Sequence, residues 1–441
     1  MRDRGEELDS QYFADGQPPL LNHKAAYDVE TIAHALTNIY RRNVDVDHDI
    51  EPYLYEETQR IMEEAIAEGY ANAAENNIPT PDEAFRNAFS HSADVFSAFR
   101  VHKMQTDIAS QMLDADGHLK PFSRFVKDVS PYIEHRNRAW LQTEYDTAII
   151  RAQNAAEWQQ FQAEKDVFPN LEWIPSTSPN PGADHVPFWG TVLPVDHPFW
   201  NEHKPGDRWN CKCELRQTDR DSTPVPSSDG KSDAAPGLES NPATDREPFS
   251  DRHPYYPSGC SSCPFAGNRL SALVHDLAGR GKHCNDCGRV NRSIATAEKK
   301  AEAQHISAKK AEIMTIVRAH KMAEKRPNKT IAVKTMQTGK MLDSKKCFKS
   351  LYNHEYTADE VKAMISFFTK PSKVKFIRVS PLGETYDLTQ PKFIRKMEKK
   401  QGRGVTHYNV YEFTASNGVY ILKTEVRNMG FEIPYFIQKK E

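Results

Sequence analysis

The chain has 441 residues, 38% hydrophobic and 27% charged, with 58 Lys and Arg against 61 Asp and Glu. At roughly 100–200 residues per domain this length predicts two to four domains. A hydrophobic share below the usual ~45–50% predicts long polar helices and linkers beside compact cores. No apolar run reaches the ~18–20 residues of a membrane span, and the opening MRDRGEELDS has no apolar stretch of the secretory kind. The expectation is a protein made and kept in a cytoplasm, with no membrane partner.

The net charge of −3 hides a split. Residues 291–441 hold 30 basic and 15 acidic side chains, a net of +15, which leaves −18 for residues 1–290. An acidic half repels nucleic acid at long range and a basic half attracts it, so two parts with different partners are expected.

Apolar residues at helical spacing predict helices over 27–42, 55–75, 82–112 and 138–162. In the last of these Leu141, Tyr145, Ala148, Ile149 and Ala152 form one stripe. From 168 to 213 prolines and aromatics replace this period, and all six tryptophans lie between Trp140 and Trp209. A compact, irregular, β-rich lobe packed on the preceding helix is expected, with Phe199, Trp200 and Trp209 in its core. Residues 219–250, with five prolines among Ser, Asp and Gly, read as a mobile linker. A cysteine module and an Ala/Lys/Glu helix over 292–320 follow. In the last hundred residues Thr357-Ala-Asp-Glu360 is a capping box, with Tyr356 and Val361 as its staple. Strands are expected over 374–379, 408–414, 419–426 and 435–438, with Asn417-Gly418 as a hairpin turn.

Cys260-x2-Cys263 and Cys284-x2-Cys287 are the most specific local pattern. A two-residue gap lets both thiolates of a turn face one ion, and two such pairs make a tetrahedral structural zinc site. Between them a short helix is expected over 268–277. So small a module lacks its own core, and metal would supply its folding energy. His275 and His283 could replace a cysteine, but four thiolates fill the shell. Cys211-x-Cys213 has too short a gap for a common zinc turn. Packing is the favoured role for it and for His185, His197 and His203, with a second metal site as the lesser alternative. Cys347 stands alone and reads as inert.

Val192-Leu-Pro-Val-Asp-His-Pro-Phe-Trp200, followed by Lys204-Pro-Gly-Asp-Arg-Trp-Asn-Cys-Lys-Cys213, resembles the signature of the Mu F-like phage head morphogenesis family. His185 and Gly190 match the residues that precede the string. Asp196, Pro198, Phe199, Trp200, Cys211 and Cys213 match its fixed positions, while Lys212 stands where Arg is usual. The resemblance covers about 81–218. It implies a minor capsid protein present in few copies, acting with the portal and other capsid proteins in the host cytoplasm and then in the virion. Some relatives carry a zinc-type CxxC inside the lobe. Here Pro187-Phe-Trp-Gly190 occupies that place, which also argues against metal there.

The last segment, one or two helices and a small antiparallel sheet, resembles in topology the barnase, EndoU, colicin and RelE-like nucleases. That likeness implies a metal-independent ribonuclease as the alternative function. His407 is the candidate acid/base, after the basic and flexible Lys399-Lys-Gln-Gly-Arg-Gly404. Arg403 and Lys423 would stabilise the phosphate, Thr424 and Tyr435 would position it, and His354 and Arg395 are reserves. A nucleic-acid-facing or capsid-contact module without catalysis is the competing reading.

The expected fold is thus α+β and multi-domain. It comprises an N-terminal helical region (1–80), a head-morphogenesis domain with the aromatic lobe (81–218), a disordered linker (219–252), a zinc module (253–290) and a basic helix-plus-sheet domain (291–441).

Overall fold

The computed structural model describes residues 12, 25–177, 185–227, 233–267, 283–322, 329–343, 356–370, 372–384 and 391–440. Helix and sheet are mixed as expected. The chain forms two compact units, Met1–Ala301 and Glu302–Glu441.

The first unit is built on α1 (Val29–Tyr40), α2 (Pro52–Glu75), α3 (Glu83–Ser110), α4 (Phe122–His135) and α5 (Leu141–Glu164). Asp28, Glu51 and Asp82 cap the first three, each accepting from a backbone N–H three residues on. The helix expected over 138–162 begins earlier. α4 runs into α5 through a single π-helical turn, Arg136–Trp140. Pro131 breaks the sequence pattern but stays inside α4. Arg136 lies over the rings of Tyr132 and Trp140 at 4.2 and 4.0 Å, which supports the irregular turn.

α2 packs closely along α5. A Cβ at Gly69 would stand 2.3 Å from the Ile149 carbonyl oxygen, so only glycine permits this approach. Arg100 of α3 and Glu144 of α5 form a fully buried ion pair. The charges are satisfied by Tyr27, Tyr12 and Tyr255, whose hydroxyls lie 2.6, 3.0 and 2.6 Å from the pair, as a buried pair requires.

The lobe is a three-stranded antiparallel sheet in the order β2-β1-β3, made of β1 (Asn170–Ile174), β2 (Val192–Pro194) and β3 (Glu214–Thr218). Its core joins Trp158 and Phe161 of α5 to Leu171, Trp173, Phe188 and Trp200. Phe199, Trp200 and Trp209 are all buried, as expected.

The stretch read as a mobile linker is different in the structure. Among its described residues Leu238 and Phe249 are fully buried. Phe249 stacks on Phe96 at 4.2 Å and on Trp209 at 5.8 Å. Sparse anchors between prolines hold an irregular chain that composition alone reads as solvent-exposed. The cysteine module likewise leans on an existing core: Tyr255, Tyr256, Phe265 and Val290 belong to the cluster formed by the helices. The helix expected over 268–277, His275, Cys347 and His354 lie outside the described residues.

Helix α8 (Gly288–Ala319), following the short turns α6 (Phe199–Glu202) and α7 (Pro242–Asp245), runs across the boundary between the units. The second unit holds a six-stranded sheet ordered β4-β5-β9-β8-β7-β6. Its strands are β4 (Lys329–Ala332), β5 (Lys340–Asp343), β6 (Ser372–Pro381), β7 (Val405–Ala415), β8 (Gly418–Arg427) and β9 (Glu432–Lys439). Pairing is antiparallel except between β5 and β9. Helix α9 (Ala358–Thr369) opens on the expected capping box, and its Val361, Met364 and Phe367 pack on Tyr411, Phe413 and Leu422. The hairpin turn falls one residue earlier than expected. Ala415 pairs with Gly418, whose φ of +145° no side chain readily adopts. Helix α10 (Pro391–Gly402) takes in Lys399 to Gly402, so four of the six residues of the supposedly flexible basic loop are helical.

Candidate metal centre

Three segments of the lobe converge. His185 precedes the 3₁₀ turn Val186–Phe188. Asp207 closes the Lys204-Pro-Gly-Asp207 turn, where Gly206 takes φ +86° against Asn154 and Ile150 of α5. Asn210, also left-handed at φ +60°, then delivers Cys211 and Cys213 on the stretch that leads into β3. His185, Asp207, Cys211 and Cys213 are all buried.

His185 turns Nε2 toward Asp207 Oδ1 at 2.7 Å. The other carboxylate oxygen accepts from the Lys204 backbone N–H at 3.2 Å. His185 Nδ1 therefore faces the sulfurs, 3.4 Å from Cys211 Sγ and 3.8 Å from Cys213 Sγ. Burial opposes a charge on His185, but Asp207 and Cys213 outweigh it and raise the imidazole to about 9. The hydrogen bond from Cys211 and the nearby imidazole bring Cys213 down to about 4. Cys211 is pushed far up by Cys213 and by burial. At neutral pH the pair is thus a thiolate and an imidazolium oriented by Asp207, and the imidazolium must release its Nδ1 proton before that nitrogen can ligate.

These residues fit a metal. Bonds of ~2.3 Å to sulfur and ~2.0 Å to nitrogen put the ligand atoms of a tetrahedral zinc site about 3.5–3.8 Å apart, and the distances here are close to that. The carboxylate behind the histidine is the usual second-shell partner, fixing tautomer and ring orientation. Cys211 to Glu214 also line a polar cleft of about 340 Å³ together with Gln142 and Asp146 of α5. Among the described residues one other triad, the surface group Asp114, Asp116 and His118, brings its ligand atoms within 4.8 Å of one another.

Cys260 and Cys284 each open a 3₁₀ turn closed by a backbone bond from Cys263 or Cys287, at 3.3 and 3.1 Å. Burial, with the neighbouring thiols adding to it, raises Cys263 to about 11 and Cys284 to about 12. The two pairs are neighbours, yet their sulfurs do not close to the spacing seen at His185. The lobe, where the sequence favoured packing and left metal as the lesser alternative, holds the tighter ligand set. The signal was the buried Asp207, which lies 22 residues from its partner His185.

The remaining family positions hold the lobe together. Asp196 accepts from Lys165 and Gln162 at the end of α5, at 2.9 and 3.1 Å. Pro198 starts the Phe199–Glu202 turn, and Trp200 Nε1 donates to the Pro194 carbonyl at 2.9 Å.

The five residues expected to form a nuclease site divide. Lys423 lies 4.7 Å from the Tyr408 ring centroid, and Tyr435 OH accepts from Lys400 Nζ at 3.0 Å, so these two share one neighbourhood. Thr424 is on the opposite side of β8, buried and bonded to Glu432 among core residues. His407 contacts Thr406 at 2.9 Å, and strand alternation turns it away from Tyr408. Arg403 contributes its carbonyl, accepting from Arg427 at 2.6 Å. Lys400 and Tyr408, both buried, were not anticipated as site residues.

A small sheet backed by a long helix and closed around a His-Cys-Cys cluster that could hold a metal ion defines a helix-supported lobe. Residues 108–216, from the end of α3 to β3, match the family model described as Phage Mu protein F like protein, which bears out the resemblance read from the sequence. No curated protein and no solved structure matches the chain. No helix among the described residues is long and apolar enough to cross a membrane.

Proposed function

We propose that the protein is a phage or prophage minor head protein that acts in prohead morphogenesis with the portal and other capsid proteins. It would work in the host cytoplasm during assembly, possess a place in the virion, and assist DNA packaging or ejection. The observation that carries this reading is the family match over 108–216, which falls on the lobe and its supporting helix. The match itself points to phage head morphogenesis; the portal contact is the finer step. Purified particles should contain the chain at low copy number, and it should co-purify with the portal. Particles that lack it, and assemble normally without it, would overturn the reading.

Zinc is the metal best suited to both cysteine sites. His185, Cys211 and Cys213 would hold one ion in the lobe, and Cys260, Cys263, Cys284 and Cys287 a second, structural one. Elemental analysis should find about two zinc per chain. Cys211→Ser should remove one and Cys260→Ser the other, and metal-free protein would refute both.

A second reading, nucleic-acid cleavage by the basic unit, is favoured by Lys423 and Tyr435 sharing a neighbourhood with Lys400. Incubation of the protein with tRNA, rRNA and DNA tests it. Intact substrates would overturn the cleavage reading.

A further inference from the structure

The face of the second sheet turned away from α9 carries an unusual set of side chains. Register places Ser380 of β6 beside Tyr408 of β7 and Glu425 of β8 on one rung. Arg378, Val410 and Lys423 form the next. Tyr435 of β9 joins from the side, and α10 brings Lys400 down onto this face. The Lys400 ammonium donates to the hydroxyls of Tyr408 and Tyr435, lies 4.2 Å from the Tyr435 ring centroid, and approaches Glu425 at 3.8 Å. Arg427 donates to Glu425 at 2.7 Å, and Arg378 to Glu384 at 2.5 Å.

Among the described residues four cations, Arg378, Lys400, Lys423 and Arg427, therefore meet two carboxylates, Glu384 and Glu425. Lys423 registers the excess. Burial lowers its proton affinity, Arg378 and Lys400 lower it further, and only Glu384 opposes them. Like charges held together at a partly desolvated surface repel strongly, and a mobile anion is what relieves them. Tyrosine and serine hydroxyls beside the cations are donors suited to phosphate oxygens. The field is not confined to this patch: residues 291–441 carry a net +15, and Arg395, Lys396 and Lys399 of α10 stand exposed next to Lys400. A single small anion does not need so extended a field. A polyanion does.

We infer that this sheet face, at the accessible Arg378, Lys423 and Tyr435 with Arg395, Lys396 and Lys399 of α10 beside them and the buried Lys400 and Tyr408 beneath, binds the phosphodiester backbone of nucleic acid. The inference requires neither the head assignment nor any cleavage. Backbone contact of this kind is sequence-tolerant and weakens with salt as counterions are released.

The test uses the full chain and labelled oligonucleotides (single-stranded RNA, single-stranded DNA and duplex DNA), read by fluorescence anisotropy across a salt series. The arms identify which polymer is the ligand. Wild type should bind at least one of them with a steep salt dependence. Arg378→Gln with Lys423→Gln should weaken that binding at least tenfold and reduce the salt slope by about 1.5–2, as expected for two lost phosphate contacts. Tyr435→Phe should weaken it several-fold while leaving the slope unchanged. Lys362→Gln with Lys370→Gln, on and after α9, should leave both unchanged. Arg378→Glu alone, at a half-exposed edge position, provides a variant that does not threaten the fold. Absence of binding by wild type, unaltered binding by the face variants, or equal loss from the α9 variants would each overturn the inference.

Discussion

Asp207 receives the Nε2 proton of His185 at 2.7 Å, and this one bond decides which nitrogen faces Cys211 and Cys213. Asp207 is itself fully buried, and His185 keeps its carboxyl ionised against the cost of burial. The carboxylate thus orients the candidate ligand His185 from behind.

Asp207→Asn keeps the shape but offers an amide that can present the wrong group to His185. Zinc affinity, measured by competition with a chromophoric chelator, should fall about 10–100-fold. The lobe should remain folded by circular dichroism. Unchanged affinity would mean that the histidine is held by packing alone.

Arg151 of α5 reaches the same turn from behind. Its guanidinium donates to the carbonyls of Gly206, Leu238 and Ser240 at 3.1, 2.9 and 2.8 Å. Arg151→Ala strands these buried acceptors and should cost about 3–5 kcal/mol in urea unfolding. Because Gly206 precedes Asp207, zinc retention should fall as well. Stability loss with normal zinc content would separate the two roles.

What could be read from the sequence followed from local rules. Helices α1, α2, α3 and α5, the capping box at Thr357, the β7–β8 hairpin and the aromatic lobe each follow from period, cap or turn residues within a dozen positions, whereas α4, interrupted by Pro131, was not expected. Strands β4 and β5 were not expected because they are only four residues long, and β5 joins the rest of the sheet through β9, about ninety residues away. The candidate metal centre was half legible. His185, Cys211 and Cys213 stood out as family positions, but nothing local says that Asp207 returns to His185 or that Nδ1 faces two sulfurs. Lys400 and Tyr408 were hidden for the same reason, since only the docking of α10 on the sheet joins them.

Phe249 marks the largest departure from composition. It is buried between Phe96 and Trp209 in a stretch that reads as linker. Phe249→Ala should lower the stability of the first unit by about 3–5 kcal/mol, the usual cost of a buried aromatic. It should also open the neighbouring chain to limited proteolysis. Wild-type cleavage kinetics in the variant would restore the mobile-linker reading.

His253 makes the first unit sensitive to acid. Its Nδ1 accepts from the Tyr255 backbone N–H at 3.2 Å, so Nε2 carries the proton and donates to Tyr12 at 3.0 Å. Burial, with Arg100 adding to it, lowers the imidazole to about 3 from an ordinary 6.5. A depressed folded value means the contribution is present above pH ~6.5 and is lost as pH falls toward 3, because only the unfolded chain takes up the proton. Between pH 7 and pH 5 the wild type should lose about 2 kcal/mol more than His253→Gln. Tryptophan fluorescence isolates the first unit in urea melts, since all six tryptophans lie within it. The raised carboxyls of Asp94, Glu157 and Glu247 act in the opposite direction. They do so in both proteins, so the difference between them reports His253, and parallel pH profiles would show that it titrates as an ordinary surface histidine.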